Sequence, residues 1–391
     1  MSDNNPHISI GIAVAVGLSS LAAAMGIGRF AFTPLLPLMQ EAFGITLSDG
    51  AWLATANYLG YFVGAYANFL LNPPAGLSAR WGLVSVALST LFIGLTASFV
   101  GWFALRFLSG IGSAFVLVGA STWAMSHLAV HRRPEASGWV FAGVGIGMAL
   151  AGLIALAFGV NRLGPHMAWM VLGGLCALVA AAAWKPLAIV TAAVKAQEAH
   201  AAPRLRGSEW TLVACYGVFG FGYIIPATFI PAAARVLVND PAVFGWTWPV
   251  FGLAAAASTV TVSKAFKATP PRRIAAWSLV LMAVGVAAPL VQTSVATLIV
   301  SALCVGGTFM VMTMAGAQEA RRIAVGSPTK LMAALTAAFA IGQTAGPMVV
   351  GLGKATGRAV ALSGGFSVVL LLLSAAILLQ TSARAPGDGA P

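Results

Sequence analysis

The chain has 391 residues, of which 59% are hydrophobic and only 8% are charged, and its mean hydropathy is +0.92. This composition excludes an ordinary soluble globular protein, because a soluble fold of this size exposes far more charged surface. The net charge of +12 does not indicate nucleic acid as a partner, because no basic stretch is interleaved with aromatic residues that stack on bases. We therefore expect a protein that crosses a lipid bilayer many times.

Twelve apolar stretches, each about 20 residues or longer, follow one another along the chain, and each suffices to cross a bilayer as a helix. The third and fourth are parted only by a short turn at Val100 and Gly101. The sequence therefore predicts an all-α integral membrane protein with twelve transmembrane helices, at residues 10–38, 50–71, 82–100, 102–124, 138–160, 166–184, 209–234, 244–263, 274–292, 295–317, 329–353 and 360–380.

The basic residues lie mostly in every second loop, which fixes the predicted orientation. With the N-terminus inside, the inner loops and tail hold fifteen lysines and arginines, and the outer loops hold four. Because basic loops stay on the cytoplasmic side of a membrane, both termini are predicted to be cytoplasmic. We expect a multi-pass protein of a bacterial cytoplasmic (inner) membrane.

The two halves of the chain match each other at an offset of 194 residues. The stretch GIGRFAFTPLLP at 26–37 falls on GFGYIIPATFIP at 220–231, and Arg29 then takes the position of Tyr223. Such repeats are common in secondary transporters whose halves rock against each other. The sequence predicts two pseudo-symmetric six-helix bundles, at 1–184 and at 209–391 with a short cytoplasmic tail, joined by a cytoplasmic linker at 185–208.

Several motifs resemble those of the major facilitator superfamily of transporters. GIGRFAFTPLLPLM in the first span and YLGYFVGAYAN in the second are similar to its YbfB/YjiJ-like branch. RFLSGIGSAF at 106–115 resembles the fourth-helix motif of the superfamily, and GWVFAGVGIGMALAG at 138–152 resembles the glycine-rich fifth-helix motif of its antiporters. The loop NPPAGLSARWG at 72–82 departs from the superfamily's loop signature, because it has no aspartate.

The resemblance implies the major facilitator fold, in which helices 1, 4, 7 and 10 line a central cavity. It also implies that spans two, five and eleven pack between the two bundles. The GxxxG pairs of these spans are then expected to let the bundles slide, at Gly60 and Gly64, Gly143 and Gly147, and Gly342 and Gly346.

Arg29 and Arg106 lie inside apolar spans, where an arginine costs about 2.5 to 3.5 kcal/mol at the bilayer centre. The rise of a helix puts them about 7 and about 10 Å from the middle of the bilayer, toward the same face. None of the nine acidic residues lies firmly inside a span. An anionic substrate would supply the missing counter-charge, since a planar guanidinium matches a carboxylate.

A structural role also remains open for both arginines, as donors to backbone carbonyls. For Arg106 the two roles balance, because the fourth-helix motif occurs in transporters with unlike substrates. Helical spacing adds further candidate substrate-binding residues: Asn57, Tyr58 and Tyr61 in the second span, Tyr216 and Tyr223 in the seventh, and Thr308 in the tenth. Tyrosines in membrane helices also serve as anchors at the membrane surface.

Three ionisable residues near the inner ends of the spans are candidates for coupling or gating. Glu319 either carries a coupling proton, pairs with Arg322 or Arg321 as an inner gate, or faces water. His127, near the inner end of the fourth span, is open to the same interpretations. The sequence shows no metal-ligand or catalytic spacing, so we expect no metal, no cofactor and no enzyme activity.

Together, these features favour a secondary active transporter that moves a small, carboxylate-like organic anion by rocker-switch alternating access. A multidrug or antibiotic exporter driven by proton antiport and a transporter of a neutral metabolite are the alternatives. The expected partners are a small-molecule substrate and the lipid bilayer, and the chain is expected to be a monomer.

Overall fold

A computed structural model describes residues 8–189, 205, 207–237, 245–324, 327–352 and 357–383. These residues form twelve long helices and no strand. The helices are α1 (Ile10–Phe43, broken in its middle), α2 (Leu47–Leu71), α3 (Ala75–Ile93), α4 (Phe99–Val130), α5 (Ser137–Val160), α6 (Pro165–Trp184), α7 (Gly207–Leu237), α8 (Thr247–Ala265), α9 (Pro271–Val291), α10 (Val295–Ile323), α11 (Pro328–Leu352) and α12 (Gly357–Ala383). Most of the predicted linker, residues 190–204 and 206, lies outside the described range.

Within the described residues, eight stretches are long and apolar enough to cross a membrane: Ile10–Phe43, Ala75–Ile93, Phe99–Val130, Pro134–Val160, Pro165–Trp184, Pro271–Val291, Val295–Ile323 and Ala361–Thr381. Helix α2 packs against α11, and α8 packs against α5, so part of their surface faces protein rather than lipid. The all-helical, multi-pass prediction is therefore confirmed, whereas the division into two bundles stays a prediction.

The third helix lies earlier in the chain than predicted. It spans Ala75–Ile93 rather than 82–100, and the turn before α4 falls at Thr96 and Ser98 instead of Val100 and Gly101. The Ser98 hydroxyl accepts a hydrogen bond from the N–H of Gly101 at 3.4 Å. A serine at this position satisfies a free N–H group at the start of a helix, which decides where α4 begins.

Helix α1 changes its winding in the middle of its length. Ile10–Leu21 is α-helical, Ala22–Arg29 is π-helical, and an α-helix resumes over Phe32–Phe43 after a short turn. Pro34 has no N–H group, so it cannot continue the hydrogen-bond ladder across the turn. The N–H of Phe30 donates five residues back along the chain, at 3.2 Å. Such a break leaves backbone carbonyls that need other donors, because the bilayer core supplies none.

The GxxxG glycines pack within each half of the chain, which corrects the expectation that they lie between the two bundles and let them slide. A Cβ on Gly60 would collide with the backbone of α4, and one on Gly143 would collide with the backbone of α1. Gly342 likewise lies against the backbone of α7. Small residues permit close approach to any neighbouring helix, and here that neighbour belongs to the same half.

Other glycines bring the first six helices and the last six into contact. Gly145 of α5 and Gly252 of α8 face each other, and a Cβ on either would lie less than 3.0 Å from the opposite backbone. Gly152 of α5 lies in the same way against the ring of Pro249. The α5–α8 contact is therefore a backbone-to-backbone contact with no room for a side chain.

We predict that Gly145→Ala lowers the unfolding temperature of the detergent-purified protein, because one methyl group forces α5 and α8 apart at a cost of about 1 to 3 kcal/mol. Gly174→Ala in α6 is the matched control, because a Cβ there meets nothing within 4 Å. The control should unfold at the wild-type temperature or slightly above it, since alanine favours a helix over glycine. Equal unfolding temperatures of the two variants would contradict this account of the contact.

Candidate functional site

Arg29 lies at the end of the π-helical stretch of α1, with 2% of its surface exposed. Its guanidinium carbon is 3.7 Å from the centre of the Tyr61 ring and 5.5 Å from that of the Tyr58 ring, both on α2. Its Nη2 donates a hydrogen bond to Oε1 of Gln343 on α11. Arg29 therefore connects α1 and α2 with a helix from the second half of the chain.

Much of the Arg29 guanidinium has no partner in the protein. Nε and Nη1 are buried and find no acceptor, and the amide nitrogen of Gln343 is also without one. The ion pairs among the described residues all lie elsewhere, so no described carboxylate neutralises Arg29. A buried charge without a counter-charge is costly, and within a membrane protein it marks a functional site.

Arg106 of α4 is bound to the backbone of the broken α1. Its Nη1 donates to the Gly28 carbonyl at 3.1 Å, and its Nη2 donates to the Arg29 carbonyl at 3.2 Å. The Ser109 hydroxyl also donates to Gly28, at 2.9 Å. The Arg106 side chain thus contacts the backbone of Arg29 itself, and their common depth in the bilayer stays a prediction. These contacts fit the structural role that the sequence left open for Arg106, that of a donor to backbone carbonyls, rather than the substrate-binding role.

A small cavity of about 20 Å³ adjoins Tyr61, with room for about one water molecule. Helices α1, α2 and α4 line it on one side, and helices α7, α10 and α11 on the other. The lining residues are Met25, Phe30, Tyr61, Leu117, Tyr216, Phe309, Met310, Thr313, Thr336 and Phe339. The cavity therefore lies between the first six helices and the last six.

Aromatic rings surround this cavity. The Tyr223 ring stacks on Phe309 with 5.1 Å between centroids and 24° between planes, and Phe309 meets the edge of Phe30 at 6.2 Å. Phe339 lies 6.0 Å from Tyr223. Sequence reasoning identified the tyrosines but missed Phe309, Phe339 and Gln343. The phenylalanines have no distinguishing signal among 21 such residues, whereas a lone amide inside an apolar span could have been noticed.

The remaining predicted substrate-binding residues are placed differently. The Asn57 amide donates to the Arg106 carbonyl at 3.0 Å, which joins α2 to α4. The Thr308 hydroxyl donates to the Cys304 carbonyl of its own helix at 2.6 Å, and Thr308 does not line the cavity. The structure therefore brings Arg29 together with the tyrosines of α2 and α7, keeps Asn57 beside Arg106, and leaves Thr308 aside.

Glu319 is fully buried and forms ion pairs with two arginines. Nε of Arg322 lies 2.8 Å from Oε2, and Nε of Arg272 on α9 lies 2.9 Å from Oε1, although the second contact is not aligned as a hydrogen bond. Both arginines belong to the second half of the chain, so these ion pairs do not connect the two halves. Sequence reasoning assigned Arg272 to a loop and missed it. The coupling and gating roles of Glu319 and Arg322 stay predictions.

His127 is bound within its own helix. Its Nδ1 lies 2.8 Å from the Trp123 carbonyl, and its ring lies 4.3 Å from the Trp123 ring. Its Nε2 is buried without a hydrogen-bond partner, and a coupling role for His127 stays a prediction. Within the described ranges, no three His, Cys, Asp or Glu side chains come together as a metal ion would require.

Three polar contacts join the two halves at one end of the helices, the end that the basic loops predict to be cytoplasmic. Arg321 donates to the Ser126 hydroxyl at 2.6 Å. The other two are Gln318 with Ser137, at 2.8 Å, and Ser327 with Asn72, at 3.0 Å. These contacts hold the first six helices and the last six together at this end.

Comparison with known sequences decides the family. The profile of a family described as "Uncharacterised MFS-type transporter YbfB" matches residues 21–382. The chain belongs to this transporter family. A curated relative, the "Uncharacterized MFS-type transporter YceJ" of Bacillus subtilis (strain 168), is 30% identical over 141 residues, which span 35% of this chain and 33% of the relative. Membership confirms the resemblance to the major facilitator superfamily and the expectation of a multi-pass membrane protein, and the match spans about a third of the curated relative's length.

We predict that Arg106→Gln lowers the free energy of unfolding by about 2 kcal/mol or more, because it leaves carbonyls of α1 without donors at membrane depth. Ser109→Ala removes one neutral hydrogen bond to Gly28 and should cost about 1 kcal/mol. Denaturant titration in mixed micelles measures both. If Arg106→Gln costs no more than Ser109→Ala, Arg106 does not hold the break in α1.

Proposed function

We propose that this protein is a secondary active transporter that moves a small, carboxylate-like organic anion across the cytoplasmic membrane of a bacterium. Residues 1–184 and 209–391 form two six-helix bundles that rock about the cavity, and residues 185–208 link them on the cytoplasmic side. Both termini are cytoplasmic, and the chain works as a monomer. The basic inner loops and the internal repeat support this topology.

The observation that carries the proposal is the buried guanidinium of Arg29. It has donors without acceptors and no carboxylate partner among the described residues, and it stands beside a cavity lined by both halves of the chain. A carboxylate that entered the cavity would provide both the missing charge and the missing acceptors. Charge-assisted hydrogen bonds of this kind are among the strongest in proteins.

Alternating access is supported by where the two halves meet. Polar contacts join them at one end, the α5–α8 glycines join them along their length, and Arg29 joins them to Gln343 beside the cavity. Because an anion at Arg29 competes with Gln343 for the same guanidinium, binding weakens one contact that holds the halves together. Substrate binding is thereby coupled to their separation.

Multidrug export by proton antiport is less well supported. Such an exporter uses a membrane-embedded acid to attract cations and exchange protons. Of the two buried acids among the described residues, Glu209 lies at the start of α7, and Glu319 is neutralised by Arg272 and Arg322. A membrane potential that is negative inside contributes about 2.3 kcal/mol per charge per 100 mV toward the exit of an anion. A uniporter would therefore export its substrate, and uptake requires a co-transported cation or an exchanged anion.

We predict that Arg29→Gln abolishes the stabilisation of the purified protein by carboxylates without lowering its unfolding temperature. A ligand that binds the folded state raises this temperature by mass action, and the loss of an unpaired buried charge removes a desolvation cost. The measurement is the unfolding temperature of the wild type and of the variant in detergent, with a mixture of carboxylates, a mixture of sugars or tetraphenylphosphonium added in separate experiments.

Arg80→Gln is the matched control, because Arg80 also stacks on an aromatic ring, that of Trp184 at 3.9 Å, but these two residues belong to α3 and α6, which contribute no residue to the cavity wall. This control should keep the full response to carboxylates. If sugars or tetraphenylphosphonium stabilise the wild type, and Arg29→Gln responds equally, the anion proposal is wrong.

A further inference from the structure

We infer that the substrate carries a single negative group on a flat, apolar body, and so belongs to the class of aromatic monocarboxylates. This inference rests on the proposed function, in which Arg29 binds the anionic group. It is carried by two observations: which arginine donors are free, and what surrounds them.

Of the two buried arginines of α1 and α4, Arg106 has one nitrogen without an acceptor, Nε, whereas Arg29 has two. Its Nε–H and both N–H groups of Nη1 have no acceptor in the protein. The Gln343 carbonyl oxygen takes a bond from Nη2 and supplies no charge. The Arg29 guanidinium therefore lies behind Tyr61, which lines the cavity, with one unit of positive charge to balance.

Arg106 does not add a second binding charge. Its two terminal nitrogens donate to the carbonyls of Gly28 and Arg29, and its guanidinium lies 4.7 Å from the centre of the Phe32 ring. If Arg106 turned toward a substrate, those carbonyls would lose their donors in the membrane interior. A second carboxylate or a phosphate dianion would therefore be balanced by Arg106 only if that arginine gave up its bonds to the α1 backbone, at a high cost in the membrane interior.

Two of the four hydroxyl groups in the cavity wall are committed to their own helices, and that of Tyr216 is buried without a hydrogen-bond partner. The Thr313 hydroxyl donates to the Phe309 carbonyl at 2.9 Å, and the Thr336 hydroxyl donates to the Met332 carbonyl at 2.8 Å. A sugar or a polyhydroxylated acid would find few donors there. Such substrates lose binding energy wherever their hydroxyl groups stay unpaired.

The rings around Arg29 favour a flat body. The Arg29 guanidinium carbon lies 3.7 Å from the centre of the Tyr61 ring and 5.5 Å from those of Tyr58 and Phe30. Phe309 meets the edge of Phe30 and lines the cavity. A further aromatic ring gains energy from offset stacking or edge contacts with such rings. The cavity of about 20 Å³ is too small for that ring, so entry requires the lining helices of the two halves to move apart.

The test compares small acids that differ in one property at a time, by thermal unfolding of the full-length purified protein. Benzoate is the reference, and terephthalate adds a second carboxylate to the same ring. Cyclohexanecarboxylate replaces the flat ring by a puckered one, and acetate lacks the ring altogether. Benzamide keeps the ring but carries no charge. We expect benzoate to stabilise the wild type, with an apparent affinity about tenfold or more above those of the other four. Arg29→Gln should lose this response, and Arg80→Gln should keep it.

Failure of the inference is distinguishable from failure of the proposed function. If terephthalate or acetate stabilises the wild type as well as benzoate does, and Arg29→Gln abolishes the effect, the substrate is an anion but not an aromatic monoanion. If benzamide is as effective as benzoate, and Arg29→Gln responds like the wild type, the anion proposal itself is wrong. If benzoate produces no shift at millimolar concentration, the inference is overturned.

Discussion

The arrangement around the cavity depends on how the broken backbone of α1 obtains its hydrogen bonds. A helix that changes its winding inside a bilayer leaves carbonyls that lipid cannot satisfy. Arg106 and Ser109 of α4 satisfy the Gly28 and Arg29 carbonyls, and Ser113 satisfies Ala24 at 2.9 Å. Helix α4 therefore fixes the position of the break and, with it, the position of the Arg29 side chain.

The break gives Arg29 a role that Arg106 does not have. Both arginines are buried, but Arg106 donates to the backbone of α1, whereas Arg29 faces tyrosine rings and a single amide oxygen. Aromatic faces attract a cation without neutralising it. A protein that keeps a charge in this condition loses stability at the site, and such a loss is common where a ligand later provides the missing interaction.

The helices and the levels of the two arginines along them could be predicted from the sequence, because both follow from local rules. Hydropathy reveals the spans, and the rise per residue sets Arg29 and Arg106 at one level. The pairing of Arg29 with Gln343 could not be predicted, because the two residues lie 314 positions apart and their contact depends on how α11 packs against α2. The glycines show the same limit. Their spacing predicts close approach, but the choice between α4 and α11 as the neighbour of Gly60 belongs to the tertiary fold.

The most direct test of a substrate anion at Arg29 is the thermal unfolding of Gln343→Glu, with and without benzoate. This change places a carboxylate where the amide oxygen now accepts the Arg29 bond, so that the protein supplies its own counter-charge. The account predicts a higher unfolding temperature and no further rise with benzoate, whereas Gln343→Leu should not raise the temperature and should keep the response. A lower unfolding temperature for Gln343→Glu, with the benzoate response intact, would contradict the account.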